Sequence, residues 1–216
     1  YSAKAGGAYY ETLSAAVSAA KEGETVTLLE DVAEDITVAE GANLTLDLAG
    51  NTLTSVNSHA IANSGTLTVT GEGSVVAATQ SKAAVYNEGT FVAERGTFTR
   101  TADTGWYVIA NRGAMTLEGV VVETANDTND SSLIVNQTNT NATLTIKSGT
   151  YTGGKLTYST VKIETGTSLT ITGGTFTNIY QHAVLNYGVA QISGGTFTAN
   201  AGSAVYTDNQ GLGGDY

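Results

Sequence analysis

The chain has no cysteine and no proline, and only one methionine, one tryptophan and four phenylalanines in 216 residues. Without cysteine there is neither a disulfide framework nor a thiolate metal site, and the redox compartment leaves no trace. Basic residues are scarce: nine Lys and Arg stand against twenty Asp and Glu, a net charge of −11. That balance lacks the basic stripe of a nucleic-acid-binding surface and suits a soluble, acidic exterior. No apolar run reaches the ~18 residues of a membrane span, so this segment is not expected to insert into a membrane. No signal peptide is recognisable either. The abrupt opening at Tyr1 and the soft GLGGDY ending read as those of a piece of a larger protein, with sorting signals and anchors outside it.

What the chain does have is glycine, 26 residues, and threonine, about one residue in six. Their distribution is repetitive. The stretch Thr167–Gly188, TSLTITGGTFTNIYQHAVLNYG, has an alternating apolar run, a glycine corner with TFT, and a second apolar run ending in Asn186. Three apolar columns recur in this way. The first holds Leu44/Leu46, Leu67/Val69, Phe91, Met115/Leu117, Leu144/Ile146, Leu169/Ile171 and Ile192. The second, just after a glycine, holds Leu53, Val75, Phe98, Val121, Tyr151, Phe176 and Phe197. The third holds Ile61, Val85, Ile109, Ile134, Ile163, Val184 and Val205. Three short strands per repeat with no helix between them exclude a βαβ sheet and predict an all-β fold. The expected fold is a single right-handed parallel β-helix (β-solenoid) of about seven coils.

Two residues beyond the third column stand Asn63, Asn87, Asn111, Asn136 and Asn186, with Thr165 and Thr207 in the remaining coils. Period-2 counting turns these side chains inward, where an isolated amide is costly. Stacked at the inter-strand spacing, each amide can donate to the next, so the column is read as a structural asparagine ladder. Ahead of the repeats, ETLSAAVSAAKEG places Leu13, Ala16, Val17 and Ala20 at helical spacing, with Lys21 in the last turn and Gly23 as terminator. The expected organisation is an N-terminal cap over 1–41, with a helix at about 11–22 and short strands in ETVTLLEDV and DITVAEG, then repeats over 42–211 and a tail or linker at 212–216.

The opening YYETLSAAVSAAKEGETVTLLEDV, followed by LTLDLAGNTLT and the recurring GGTF turns, resembles right-handed parallel β-helix domains of the pectin-lyase-like type. The likeness is greatest to repeat regions of surface proteins from Gram-positive, often gut-dwelling, bacteria. It implies a helix that covers the open end of the core, and an extracellular position on the bacterial cell surface. The fold carries lyases, hydrolases, adhesins and inert stalks, so it does not choose an activity.

Lyase and glycosidase chemistry needs clustered carboxylates with a cationic or imidazole partner. The two histidines, His59 and His182, lie about five rungs, roughly 24 Å, apart and cannot share a site. Asp47, Glu94, Glu118 and Glu164 are single outward acids, so no catalytic residue is assigned. Trp106 points outward with Lys82, Tyr86 and Arg112 close by, an arrangement suited to gripping a sugar ring or a protein partner. In the insertion TANDTNDSS, Asp127 and Asp130, flanked by Asn126 and Asn129, are the candidate oxygen donors for calcium, the one cofactor considered. Outward TxT pairs such as Thr97/Thr99 and Thr175/Thr177 resemble the arrays of ice-binding solenoids. The expectation is a non-catalytic adhesion module for a host glycan, mucin or protein such as an immunoglobulin, or else a rigid stalk. Neighbouring domains are expected at its C-terminal end. A polysaccharide lyase or hydrolase and an ice-binding solenoid are the alternatives.

Overall fold

The computed structural model describes residues 1–102, 105–124, 131–138 and 140–208. Its strands form three parallel sheets stacked rung upon rung, a parallel β-solenoid. Each rung gives one strand to each sheet, as in Asn43–Asp47, Thr52–Thr54 and Ile61–Asn63. The second and third sheets have eight strands each. The seven coils counted from residue 42 are all present. Beneath them Glu24–Leu28, Val32–Ala33 and Ile36–Val38 pair in register with the strands above, so these segments form a first rung and not part of the cap.

Alternation decides which side chains enter the core. In Thr66–Thr70, Leu67 and Val69 are buried while the threonines face out. The aromatic members of the second column stack as a ladder of their own: Tyr151 on Phe176 at 4.7 Å, and Phe176 on Phe197 at 4.8 Å, with rings within 7° of parallel. The Tyr151 hydroxyl donates to the Ser148 carbonyl oxygen at 2.8 Å, and burial drives its pKa far above the ordinary tyrosine value.

Two columns need correction. Val122, not Val121, enters the core, opposite Phe98 and Tyr151. The reason lies in the corner: here glycine stands one place earlier, and Val120 occupies the position that Gly149 fills in the next rung. Likewise Val161, not Ile163, continues the third column from Ile134 to Val184. Ile163 lies between Asn136 and Asn186, and Thr165 is not in the column at all. The sequence VKIET offers two apolar residues two apart, and either satisfies the alternation.

The asparagine ladder is therefore continuous over four rungs. Asn63 Nδ2 donates to Asn87 Oδ1 at 2.7 Å, Asn87 to Asn111 at 2.7 Å and Asn111 to Asn136 at 2.6 Å. At Ile163 it stops. Asn136 Nδ2 turns to the carbonyls of Ala142 and Ser168, and Asn186 instead accepts from Gly188 N–H at 3.1 Å. At the other end the rung below Asn63 carries Val38, and the buried Asn63 Oδ1 has no partner among the described residues.

The helix covers Leu13–Ala19, shorter than the spacing suggests, because Ala20 already turns extended. Lys21 thus lies outside the last turn, and Gly23 (φ 75°) shapes the entry into the first rung. Thr12 caps the helix by accepting from Ala15 N–H. Glu34, from the first rung, accepts from the amides of Leu13 and Ser14 at 2.9 Å. Leu13, Ala16 and Val17 are buried against the first rung. A hairpin, Ala3–Ala5 and Ala8–Tyr10, runs antiparallel on Glu24–Leu28 and brings the first sheet to ten strands. Helix and hairpin together close this end, where open strand edges would otherwise pair with other chains.

Candidate functional site

The three outer faces differ in chemistry. The second sheet shows Thr52, Ser74, Thr97, Val121, Thr150, Thr175 and Thr196 in one register. The parallel row reads Thr54, Val76, Thr99, Glu123, Thr152, Thr177 and Thr198, so the threonine array is broken at Val76 and again at Val121 and Glu123. The first sheet is also threonine-rich, with Thr45, Thr68, Thr116, Thr145 and Thr170 outward. The third sheet is different. Its outward column reads Tyr86, Ala110, Val135, Lys162, Leu185 and Tyr206 over six successive rungs. At the inter-strand spacing this column is about 24 Å long.

Length variation concentrates there too. On each side of the third sheet the longest connection within the repeats lies at the rung of Ile134–Asn136: residues 125–133 before the strand and 137–142 after it. A short, wholly buried strand thus lies between the chain's two largest insertions, and long loops held by a rigid scaffold are a usual setting for a binding surface.

At this position a cleft of about 230 Å³ is lined by Tyr107, Ser131, Ser132, Tyr158, Lys162, Leu185 and Tyr187. A shallower hollow of about 260 Å³, bounded by Thr138, Lys162, Glu164, Thr165 and Tyr187, adjoins it. Lys162 and Tyr187 belong to both. Lys162 Nζ donates to Glu164 Oε1 at 2.9 Å, with the two side chains only 26% and 22% exposed. Glu164 Oε2 also accepts from Thr138 N–H at 2.8 Å. Burial pushes the Lys162 ammonium toward neutrality, but the hydrogen bond to Glu164, with the charges of Tyr107, Glu164 and Tyr187, outweighs it and holds the pKa above the usual lysine value. Burial raises the Tyr107 phenol as well, against the opposing Lys162 charge. Near neutral pH the cleft therefore presents the Lys162 ammonium and the Tyr107 hydroxyl, groups that donate hydrogen bonds. Neither is a general base at that pH.

Of the residues singled out from sequence, Trp106 and Arg112 flank the strand Ile109–Asn111, two rungs from Lys162, and Tyr86 and Lys82 lie one rung further on the same side. Trp106 and Tyr107 contact each other at 5.4 Å between ring centroids, and with Tyr86 they pack on a small outer cluster of Ala83, Ala110 and Val135. Tyr86 hydroxyl donates to Glu88 Oε1 at 3.3 Å, and Arg112 Nε lies 3.7 Å from the same oxygen. Trp106, Tyr86 and Arg112 are thus brought together on this face. Lys82 is in the adjoining loop, where its carbonyl accepts from the Arg100 guanidinium. Arg100, wholly buried, was not singled out; with a second donation to the Thr79 carbonyl it ties that loop to the rung. Asp127 and Asp130 lie outside the described residues. Among the described residues no three His, Asp or Glu side chains come close enough to hold a metal ion.

Tyr107, Tyr158, Lys162 and Tyr187 were missed because loops of unequal length hide their alignment. The available signal was the pair Lys162 and Glu164, two charges two residues apart at the end of one strand, with Tyr158 on the turn before it.

The histidines are built into the same margin. His59 Nδ1 accepts from Ala83 N–H at 2.8 Å and its ring stacks on Tyr86 at 4.7 Å; His182 Nδ1 accepts from Ser203 N–H at 3.1 Å and stacks on Tyr206 at 4.7 Å. Each imidazole spans two rungs through a lone pair that protonation would remove. Burial, with the Lys82 charge, lowers the His59 pKa to about 4. Its folded value lies below the unfolded one of about 6.5, so its contribution to stability is complete above pH ~6.5 and is lost as pH falls toward 4. An NMR titration is expected to show the His59 ring neutral down to about pH 5, and His59→Gln should flatten that part of the stability profile.

Scans against protein-family models, curated proteins and solved structures give no match to this chain.

Proposed function

We propose that the chain is a non-catalytic binding module that grips a glycan along the outer face of the third sheet. One observation carries this reading: aromatic side chains and the half-buried Lys162–Glu164 pair gather on that face, while the other two present mainly threonine. Tyrosine and tryptophan offer flat apolar surfaces with a polar rim, matching the faces and hydroxyls of a sugar ring. The charges on this face are paired, and the chain carries −11 overall. A neutral or weakly charged glycan therefore fits better than a polyanion. Display on a bacterial surface is part of the proposal, supported by the likeness of the cap and GGTF repeats to Gram-positive surface domains.

The experiment is a glycan array probed with the native chain and with Tyr187→Ala, Lys162→Ala and Trp106→Ala. Tyr187→Ala is expected to weaken a detected interaction by ~10-fold or more, since aromatic anchors dominate such surfaces, and Trp106→Ala by less. Binding retained by all three variants would remove the third sheet as the site. A blank array from the folded protein would favour a rigid spacer.

A further inference from the structure

The cleft on the third sheet sets two unlike side chains next to each other. Lys162 and Leu185 are register partners on adjacent rungs, and both line the cleft. Neighbouring strands lie about 4.8 Å apart, so a cationic donor and an apolar side chain stand side by side. Leu185 is only 8% exposed, so the apolar spot it offers is small. Tyr107, Tyr158 and Tyr187 add aromatic surface around the same opening.

The Lys162 ammonium carries three N–H donors, and Glu164 Oε1 is its one hydrogen-bond acceptor among the described residues. Two donors therefore remain for a ligand. The Glu164 carboxylate already balances the charge, so the site does not call for an anion. It calls for a neutral acceptor, which a charged donor binds more strongly than a neutral donor does. A carbonyl oxygen is a stronger acceptor than a hydroxyl and has no proton of its own to place. An acetyl group carries that oxygen and a methyl on one carbon, matching Lys162 and Leu185 together. A hydroxyl in the place of the methyl would set a polar oxygen against Leu185.

We propose that the cleft between Tyr107, Tyr158, Lys162, Leu185 and Tyr187 is an acetyl-binding pocket that selects N-acetylated sugars. This rests on the glycan reading above and adds the substituent that the site recognises. Lys162 Nζ donates to the acetamido carbonyl oxygen, and the methyl packs on Leu185 and the tyrosine rings. An O-acetyl ester offers the same two groups, with a weaker acceptor.

NMR titration of the full chain tests this with five probes. They are the methyl glycosides of N-acetylglucosamine, N-acetylgalactosamine, glucose, galactose and 6-O-acetylglucose. The acetamido sugars are expected to bind ~10-fold or more tightly than the plain ones, the worth of one hydrogen bond to a charged group. The O-acetyl sugar should fall between, and saturation transfer should be strongest at the acetyl methyl. Lys162→Met keeps the apolar stem but removes the donors, and it should abolish the preference for acetamido sugars. Circular dichroism verifies its fold, and Lys162→Gln serves the same comparison if the methionine variant unfolds. Equal binding of acetamido and plain sugars, lost in Tyr187→Ala, keeps the glycan reading and overturns this one. An acetamido preference that the Lys162 variant retains overturns it too. No response to either acetamido sugar also overturns it, and the array then decides the glycan reading on its own.

Discussion

Replacing Asn111 by leucine is expected to lower the unfolding free energy by ~3–5 kcal/mol, read as a reduced urea midpoint. Asn111 Nδ2 donates to Asn136 Oδ1, to the Gly113 carbonyl at 3.1 Å and to the Thr143 carbonyl at 3.0 Å. Its Oδ1 accepts from Asn87 Nδ2 and from Gly113 N–H. Leucine fills the space but leaves Asn136 Oδ1 and Gly113 N–H buried without those partners, each a loss of about 1–3 kcal/mol. Asn63→Leu is expected to cost less, because that residue ends the ladder and its own Oδ1 has no partner among the described residues. Equal losses at the two positions would argue against a ladder whose members support one another. Asn111→Asp separates volume from hydrogen bonding. A carboxylate there would face three acceptors, so its folded pKa should rise above the unfolded ~3.9. That variant is most stable at low pH and loses stability as pH rises through the folded value, opposite in sign to the His59 contribution.

The solenoid was legible because its determinants are local and repeated. Alternation marked Leu67 and Val69 as buried whatever happened elsewhere, and Asn63, Asn87, Asn111 and Asn136 stood at a fixed offset from their columns. Legibility failed where two residues satisfied the same local rule. Val121 and Val122 differ only in the placement of a corner glycine, and Val161 and Ile163 only in which turn follows. Pairing with the neighbouring rungs decided both, and that is information a single repeat does not hold. The first rung was hidden for a related reason: Glu24–Val38 lacks the GGTF turn and has Val38 in place of the ladder asparagine.

The outer face of the third sheet posed a harder problem. Trp106 attracts attention because it is the only tryptophan, yet the cleft between Tyr107, Tyr158, Lys162 and Tyr187 depends on side chains from several rungs. Their meeting is set by loop lengths, which follow no repeat. The core of a solenoid is written once per coil, whereas its surface chemistry is written once per chain. That difference is physical: rungs must match in depth and register to stack, while an outward residue need only avoid disturbing the pairing beneath it.

Gly89→Ala is expected to destabilise the chain by ~3–5 kcal/mol, although nothing in the backbone angle at Gly89 calls for glycine. Gly65, Gly89 and Gly113 follow one another up the turn beside the asparagine ladder. A methyl on Gly89 would fall far inside van der Waals contact distance of the Gly65 carbonyl oxygen and lie 2.7 Å from the Ser64 carbonyl. Those carbonyls are backbone, and the one on Gly65 already accepts from Thr90 N–H at 2.8 Å. Relief therefore requires the rungs to separate, which also stretches the bond from Asn63 Nδ2 to the Thr90 carbonyl, now 3.0 Å. Gly41→Ala is the control. Gly41 has φ of 81° and open space around its Cβ position, so alanine there meets only the left-handed penalty of about 1–2 kcal/mol. Because the methyl at Gly89 acts partly through the ladder, Gly89→Ala combined with Asn63→Ala should lose less than the sum of the two single losses. Strict additivity would show that the turn and the ladder are independent, and that the close approach of backbones alone demands glycine at this corner.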